Sequence, residues 1–472
     1  MNRKSLILIS ITLLFTLSAC STTPKAVDPR KLAFAPLNFS LPKSDQLKLK
    51  NGMRIYFLED HELPIVNITA LTATGSIYEP DEMTGLAGLT GALIRSGGTQ
   101  SLKPDQLDSE LEFMASSIES SIGDDSGTLS MSTLSRNLDR TLELYADVMM
   151  NPGFDKSRFD LTIKNTIEAI RRQNDDPKGI ASREYSKVLY EKHPLGRFAT
   201  IESVSKVTRE EMVRFHKRFY SPGSVILAVS GDFNRKEMIS KLEKLFEGWQ
   251  PEVPKLPEVS TPDTAPKKQT LLARKQVSQS VIRMGHLGIE KNNPDQYAVR
   301  VMDYILGGGF TSRLTQEVRS NQGLAYHAGS RFDIGRRFPG AFMAETETKS
   351  GSTVKAITLM KEIIAGMTKE QVTEEELKQA KESIINSFIF GFARADSIVT
   401  QQARLEYYGF PDGYLENFRD NIAKVSRDDI LRVAKKYLHP EAMTILVVGD
   451  DSKFDQPLSV LGEVREIKLE TK

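Results

Sequence analysis

Cysteine is nearly missing from this chain: 472 residues carry one, Cys20, so no intramolecular disulfide holds the fold together. Histidine is scarce too. The six, His61, His193, His216, His286, His327 and His439, include no two close enough to share a helical turn, which removes the local ligand pair on which most zinc sites are built. Neither charge is in excess, with 63 basic and 62 acidic side chains, so nothing marks the chain as a nucleic-acid binder. Beyond the first twenty residues no apolar run is long enough to cross a membrane.

What the chain does have begins with a targeting signal. Arg3 and Lys4 precede an apolar run, Leu6 to Phe15, of signal-peptide length. It ends Leu17-Ser18-Ala19-Cys20, which resembles a bacterial lipobox, and the position of the lone cysteine at the cleavage point favours lipidation of Cys20. Residues 1–20 are therefore expected to be a lipoprotein signal peptide. By resemblance to lipoprotein sorting in Gram-negative bacteria, Ser21 in the next place implies the periplasmic face of the outer membrane. Residues 21–44, rich in Pro, Thr, Ala and Lys without periodicity, are expected to be a flexible tether.

The remaining residues, about 430, are too many for one core. An internal duplication says how they divide. Val207 to Asp232 aligns without a gap on Val425 to Asp450, an offset of 218, each copy a capped helix (Thr208 or Ser426 at its start), a proline-bearing turn and a buried strand ending in Gly-Asp. Residues 45–250 and 269–465 are expected to be two related domains. Residues 251–268, with five prolines, form an extended linker between them. In the first half, Leu47 to Phe57 reads as two strands about an Asn-Gly turn. Val66 to Ser76 and Thr128 to Ser135 alternate as strands, and Leu138 to Met149 and Asp155 to Asn174 repeat as amphipathic helices. The mixture predicts α+β halves, each a mainly antiparallel sheet with helices on one face.

The helix predicted over Gly85 to Thr99 is unusual for what it omits. Leu86, Leu89 and Leu93 form its apolar face, while Gly88, Gly91 and Ala92 place almost no side chain on another. With its surroundings, this helix resembles the first helix of the pitrilysin (insulinase-like) peptidases, the inverted zincins, which reads roughly Gly-Leu-Ala-His-x-x-Glu-His. In that family two histidines and a glutamate on a later helix hold zinc, and the glutamate between the histidines serves as base. The matching positions here are Gly88, Gly91, Ala92 and Ala169, a degenerate zinc box, so the resemblance implies no metal on this chain. Glu168 stands next door to the last of these, but one residue along a helix turns a side chain by about 100°. The resemblance covers about Ser44 to Glu463 and implies two six-stranded halves forming a clam shell.

The second half carries Gly307-Gly308-Gly309, a helix containing Leu314, Val318 and Arg319, a stop at Gly323, and a strand opening at Tyr326. Seven residues apart across a tight turn, Arg319 and Tyr326 can project to one spot. They match the family's Arg/Tyr pair, which grips the substrate backbone and the oxyanion. The triglycine is expected to be a hinge. The expected function is that of a subunit inactive alone, without cofactor, which pairs with a zinc-bearing pitrilysin-type homologue and lends it Arg319 and Tyr326 for cutting peptides or unfolded proteins. Two other functions stand beside it: a non-catalytic factor holding extended peptides by sheet addition, and a self-sufficient zinc peptidase.

Overall fold

The computed structural model describes residues 39–249 and 255–469; the expected signal peptide, with Cys20, and most of the tether lie outside them. From Leu41 onward one unit contains two six-stranded sheets. The first is built from Asp45–Lys48 (β1), Arg54–Glu59 (β2), Ile65–Thr72 (β3), Ser117–Ile122 (β4), Gly127–Leu134 (β5) and Val225–Gly231 (β6). The second uses Gln269–Arg274 (β7), Gln279–Leu287 (β8), Ala325–Phe332 (β9), Ala341–Lys349 (β10), Thr444–Gly449 (β11) and Val464–Glu466 (β12).

The duplication reaches well beyond the aligned stretch. The sheets run β1-β2-β6-β3-β5-β4 and β12-β7-β11-β8-β10-β9, so five strands of one correspond in order to five of the other. The sixth comes from opposite ends of the chain: β1 pairs antiparallel with β2, and β12 parallel with β7. Parallel neighbours are otherwise only β2 with β6 and β7 with β11, so each sheet is mixed and mainly antiparallel, within an α+β half as expected.

Six helices matter below: Leu86–Ser96 (α1), Lys156–Arg171 (α2), Pro177–Tyr190 (α3), Arg209–Phe219 (α4), Ala395–Tyr407 (α5) and Arg427–Tyr437 (α6). The expected caps are in place. Thr208 accepts from the Glu211 N–H and Ser426 from the Asp429 N–H at the starts of α4 and α6, and Asp155 caps α2. One apolar core lies under each sheet on its helical side.

The middle strands β6 and β11 are buried at every position, because both faces of each are covered. The second cover is exchanged between halves. Val399 and Ala403 of α5, from the second half, pack on Tyr56, Leu71, Ile226 and Ala228 of the first sheet. In return Ile180 and Ala181 of α3 pack on Ala273, Val281 and Val448, and Tyr185 on Leu271, Met343 and Leu446, of the second sheet. The outer strands β4 and β5, and β9, lie beyond these helices, while β10 touches α3 at Met343.

The described part of the linker, residues 255–268, forms neither helix nor strand, but Leu256 and Val259 are half-buried against the first core. Among the described residues no helix is long and apolar enough to cross a membrane.

Candidate functional site

Helix α1 is set by a carboxylate that no local pattern announced. Glu79 is buried, and its two oxygens accept from the N–H groups of Gly85 at 2.9 Å and Ala87 at 2.8 Å, capping the helix from outside. Burial pushes its pKa up against the pull of these two donors. Gly85 itself sits at φ 108°, left-handed backbone that favours glycine.

The three small residues of α1 do not share one environment. Gly88 and Ala92 are exposed, and a Cβ added at Gly88 would meet nothing within 4 Å. At Gly91 the added Cβ would lie 2.3 Å from the Ile122 nitrogen, because α1 packs backbone to backbone on β4. Ser120 Oγ donates to Gly91 O at 2.6 Å and accepts from Arg95 N at 3.1 Å. The single bare face expected from sequence is therefore two surfaces, one open and one filled by the chain's own strand.

These residues do not fit zinc. Gly88, Ala92 and Ala169 offer no donor atom, and the neighbouring Glu168 carboxylate is bound by Arg171. Ala169 is exposed on α2, which packs alongside α1. Among the described residues no three His, Cys, Asp or Glu side chains are grouped to hold a metal ion.

Arg319 and Tyr326, by contrast, are brought together, and by irregular backbone. Residues Tyr304–Gly308 and Thr315–Asn321 wind as π-helical turns, a geometry concentrated at functional sites. Leu314 and Val318 anchor the second turn in the core, Thr315 Oγ1 donates to Ala328 O at 3.1 Å, and the Arg313 guanidinium grips Glu376 at 2.7 and 2.9 Å.

In β9, Ala328 pairs with Thr346 and Ala325 with Thr348, so Tyr326 and His327 stand opposite Glu347 alone. That bulge breaks the alternation which would otherwise turn Tyr326 toward the core with Ala328 and Phe332. Tyr326 is instead 87 % exposed. The Arg319 guanidinium carbon lies 5.4 Å from the Tyr326 ring centroid and 5.6 Å from that of Phe310, which is itself 77 % exposed. A cation flanked by two rings is held by their quadrupoles. Neither the guanidinium nor the Tyr326 hydroxyl has a hydrogen-bond partner among the described residues, so both remain free to bind backbone carbonyls or an oxyanion.

Two of the three glycines before this site are explained by close packing. An added Cβ would meet Ser330 N at 2.1 Å from Gly307 and the Tyr304 ring at 2.7 Å from Gly309, whereas at Gly308 the nearest atom, of Asp303, is 3.3 Å away. Asp303 closes the underside. It accepts from Ser330 Oγ at 2.6 Å, and burial lifts its pKa to about 6. No hydrogen bond, ion pair or ring contact among the described residues joins Arg319 or Tyr326 to α1 or α2. Spacing and the family resemblance pointed to Arg319 and Tyr326, whose side chains do meet; nothing local pointed to Phe310, Glu79 or the bulge.

Comparison with known proteins places this geometry in company. Residues 54–200 match the family model for insulinase (peptidase family M16), and residues 206–384 match that for the peptidase M16 inactive domain. An uncharacterized zinc protease of Rickettsia felis is 25 % identical over 85 % of this chain and 96 % of its own length. A non-peptidase homolog of Helicobacter pylori is 22 % identical over 84 % of this chain and 92 % of its own. The crystal structure of a peptidase M16 inactive domain from Pseudomonas fluorescens superposes with a TM-score of 0.78 at 26 % identity, covering 87 % of this chain and 98 % of that one.

Proposed function

The chain belongs to the pitrilysin, or insulinase-like (M16), peptidase family, and we propose that within it this chain is a subunit without metal of its own, which lends Arg319 and Tyr326 to a zinc-bearing homologue that cuts peptides or unfolded proteins. One contrast carries the reading. The positions where the family holds its metal offer no ligand, whereas the Arg/Tyr pair stands on three backbone irregularities with Tyr326 exposed, Arg319 half-buried and neither hydrogen-bonded among the described residues. A chain that had lost all function would have no reason to keep Tyr326 and Phe310 in water, where each forfeits roughly 1.5–3 kcal/mol of burial.

The name of the Helicobacter relative, a non-peptidase homolog, agrees with an inactive-type member. In the same proposal a lipid on Cys20 holds the chain at the periplasmic face of the outer membrane, which loss of fatty-acid labelling in Cys20→Ser would test.

The pairing is tested by measuring peptide cleavage with the chain alone, with a His-x-x-Glu-His relative from the same genome alone, and with the two mixed. Activity is expected in the mixture above the sum of the separate chains, falling by about 10² to 10³ in Arg319→Ala, as loss of one oxyanion donor does, and falling also in Tyr326→Phe. Unchanged activity in both variants rejects the roles given to them. Peptide binding by the chain alone, with no gain of cleavage in the mixture, would favour a second reading: a holder of extended peptides, for which the sheet edges β1, β4, β9 and β12 are the templates.

A further inference from the structure

A second site lies on the other face of the first sheet, at the foot of α5. There β6, β3 and β5 bring Ser230, Asn67 and Ser132 into one cross-strand row, since Asn67 pairs in register with both serines. The neighbours of these three in sequence, Val229, Ile68 and Met131, point into the core, so by alternation the row points the other way. Above it opens a cavity of about 330 Å³.

Ser230 is 1 % exposed, and its hydroxyl has no hydrogen-bond partner. Among the described residues the side chains of Asn67 and Ser132 have none either. Buried polar groups are normally satisfied, so the buried Ser230 hydroxyl without a partner, in one row with the half-buried Asn67 and Ser132 at the floor of a cavity, points to a polar ligand.

Walls and rim say which ligand. Leu63, Ile65, Ala393 and Ala395 line the sides, so the way in is apolar. At the rim stand Asp60, Glu62, Asp396 and one cation, Arg394, which is spent on Asp396 at 2.9 and 3.1 Å. Two carboxylates are left over. The N-terminus of α5 contributes partial positive charge, but Asp396 in its first turn offsets it. An anion is therefore disfavoured here.

We propose that this cavity binds a primary ammonium group carried on an aliphatic stem, either a lysine side chain of an extended polypeptide or a free diamine. The stem lies along Leu63 and the two alanines. The ammonium's donors reach the Asn67 and Ser132 oxygens, with the Ser230 hydroxyl closing the row beneath them, and Asp60 and Glu62 supply the countercharge. The site rests on a different sheet and different residues from the Arg319 pair, so it stands or falls separately.

Isothermal titration of the full chain tests it with three probes: an N-acetylated, amidated peptide containing one lysine, the same peptide with norleucine in that place, and cadaverine. The lysine peptide should bind at least about 10-fold more tightly than the norleucine peptide, the value of a hydrogen-bonded charge. Asn67→Leu and Glu62→Gln should each weaken it by about 10-fold. Ser230→Ala should weaken it a few-fold while leaving the urea midpoint unchanged or higher, since it removes an unpartnered hydroxyl and so separates binding from folding. Binding of cadaverine without the peptide assigns the site to a free diamine, and binding of the peptide assigns it to a protein lysine. Measurable but equal binding of lysine and norleucine peptides, no heat from either amine at about 10 mM, or binding indifferent to all three substitutions overturns the proposal.

Discussion

Two glycines one turn apart on α1 should answer the same substitution in opposite senses. At Gly91 the atoms an added Cβ would strike, Ile122 N at 2.3 Å and Ser121 C at 2.8 Å, are both backbone of β4, so no side chain can swing aside. Helix and strand must part by about 1 Å to reach ordinary contact, which also stretches the Ser120–Gly91 and Arg95–Ser120 hydrogen bonds. Overpacking of this kind costs about 1–3 kcal/mol, and the strained hydrogen bonds add about 1 kcal/mol. The better helix propensity of alanine returns roughly 1 kcal/mol. Gly91→Ala should therefore destabilise by about 1–3 kcal/mol. Gly88→Ala meets nothing within 4 Å and should gain the propensity alone, stabilising by about 0.5–1 kcal/mol. Urea unfolding followed by circular dichroism reads both. Equal shifts, or a larger loss at Gly88, would refute the division of α1 into an open and a packed side. The open side has a functional corollary. If a partner or peptide approaches Gly88, Gly88→Leu should lower pairing or peptide binding while the urea midpoint holds, and a fall in the midpoint alone would make that face plain surface.

Buried histidines should make the fold acid-sensitive. Burial depresses His216, hydrogen-bonded to Met149 O at 2.9 Å, and His286, whose Nδ1 faces Leu287 O, to about 4. Between pH 6.5 and 4 the unfolded chain thus binds two protons that the folded chain refuses, and stability is lost as pH falls. Asp303, raised to about 6 by burial, acts in the opposite direction between its ordinary value and 6. These three groups alone give a net of one proton, a loss of about 1.4 kcal/mol per pH unit from 6 toward 4.5; Glu79 and Asp124, also raised by burial, act with Asp303, and His193 and His439, also lowered by burial, act with the two histidines. Asp303→Asn should steepen this to about 2.8 kcal/mol per unit, and an unchanged slope in urea titrations would refute the assignment. At the Arg/Tyr site, Phe310→Ala should leave the urea midpoint unchanged, because the ring is exposed. It should also lower Arg319-dependent cleavage in the mixed-chain assay by about 2–5-fold, the worth of one exposed cation–π contact. Full activity would make Phe310 a bystander.

The parts that were legible in the sequence are those whose signal is local or repeated. The offset of 218 found the halves, and the caps Thr208, Ser426 and Asp155 act as their residue types require. Strand β4 passed unseen because Ser-Ile-Glu-Ser-Ser-Ile carries only two apolar residues and owes its place to pairing with β5. The exchange of α3 and α5 was hidden for another reason: an amphipathic pattern says that a helix has a face to bury, not which sheet will cover it. The same limit applies at the site. Spacing brought Arg319 near Tyr326, but the bulge that exposes Tyr326 depends on register with β10, and the difference between Gly88 and Gly91 depends on where β4 runs.

The exchanged helices also decide where room for a peptide can form. To part the two halves would uncover Ile180, Tyr185 and Val399 together with Leu71, Ile226, Leu271, Leu446 and Val448, all at most 2 % exposed. At roughly 2 kcal/mol for each large side chain, that comes to about 16 kcal/mol, at or above the whole stability of a typical domain. The junction is closed again where the loops of the β4–β5 and β9–β10 hairpins meet. There Tyr408 donates to Asp125 at 2.9 Å, and the Arg337 guanidinium lies 5.1 Å from the Tyr407 ring centroid. The shell that the duplication forms is thus held shut, and the prolines of the linker do not make it a working hinge. Apart from the cavity at the foot of α5, surface left over for a substrate is on the outside of that shell, where Tyr326 faces solvent beside the half-buried Arg319 and α1 shows Gly88 and Ala92. In the pairing proposed above, the second chain supplies the wall of the chamber that faces the Arg/Tyr pair, together with the metal for which Gly88, Ala92 and Ala169 offer no ligand.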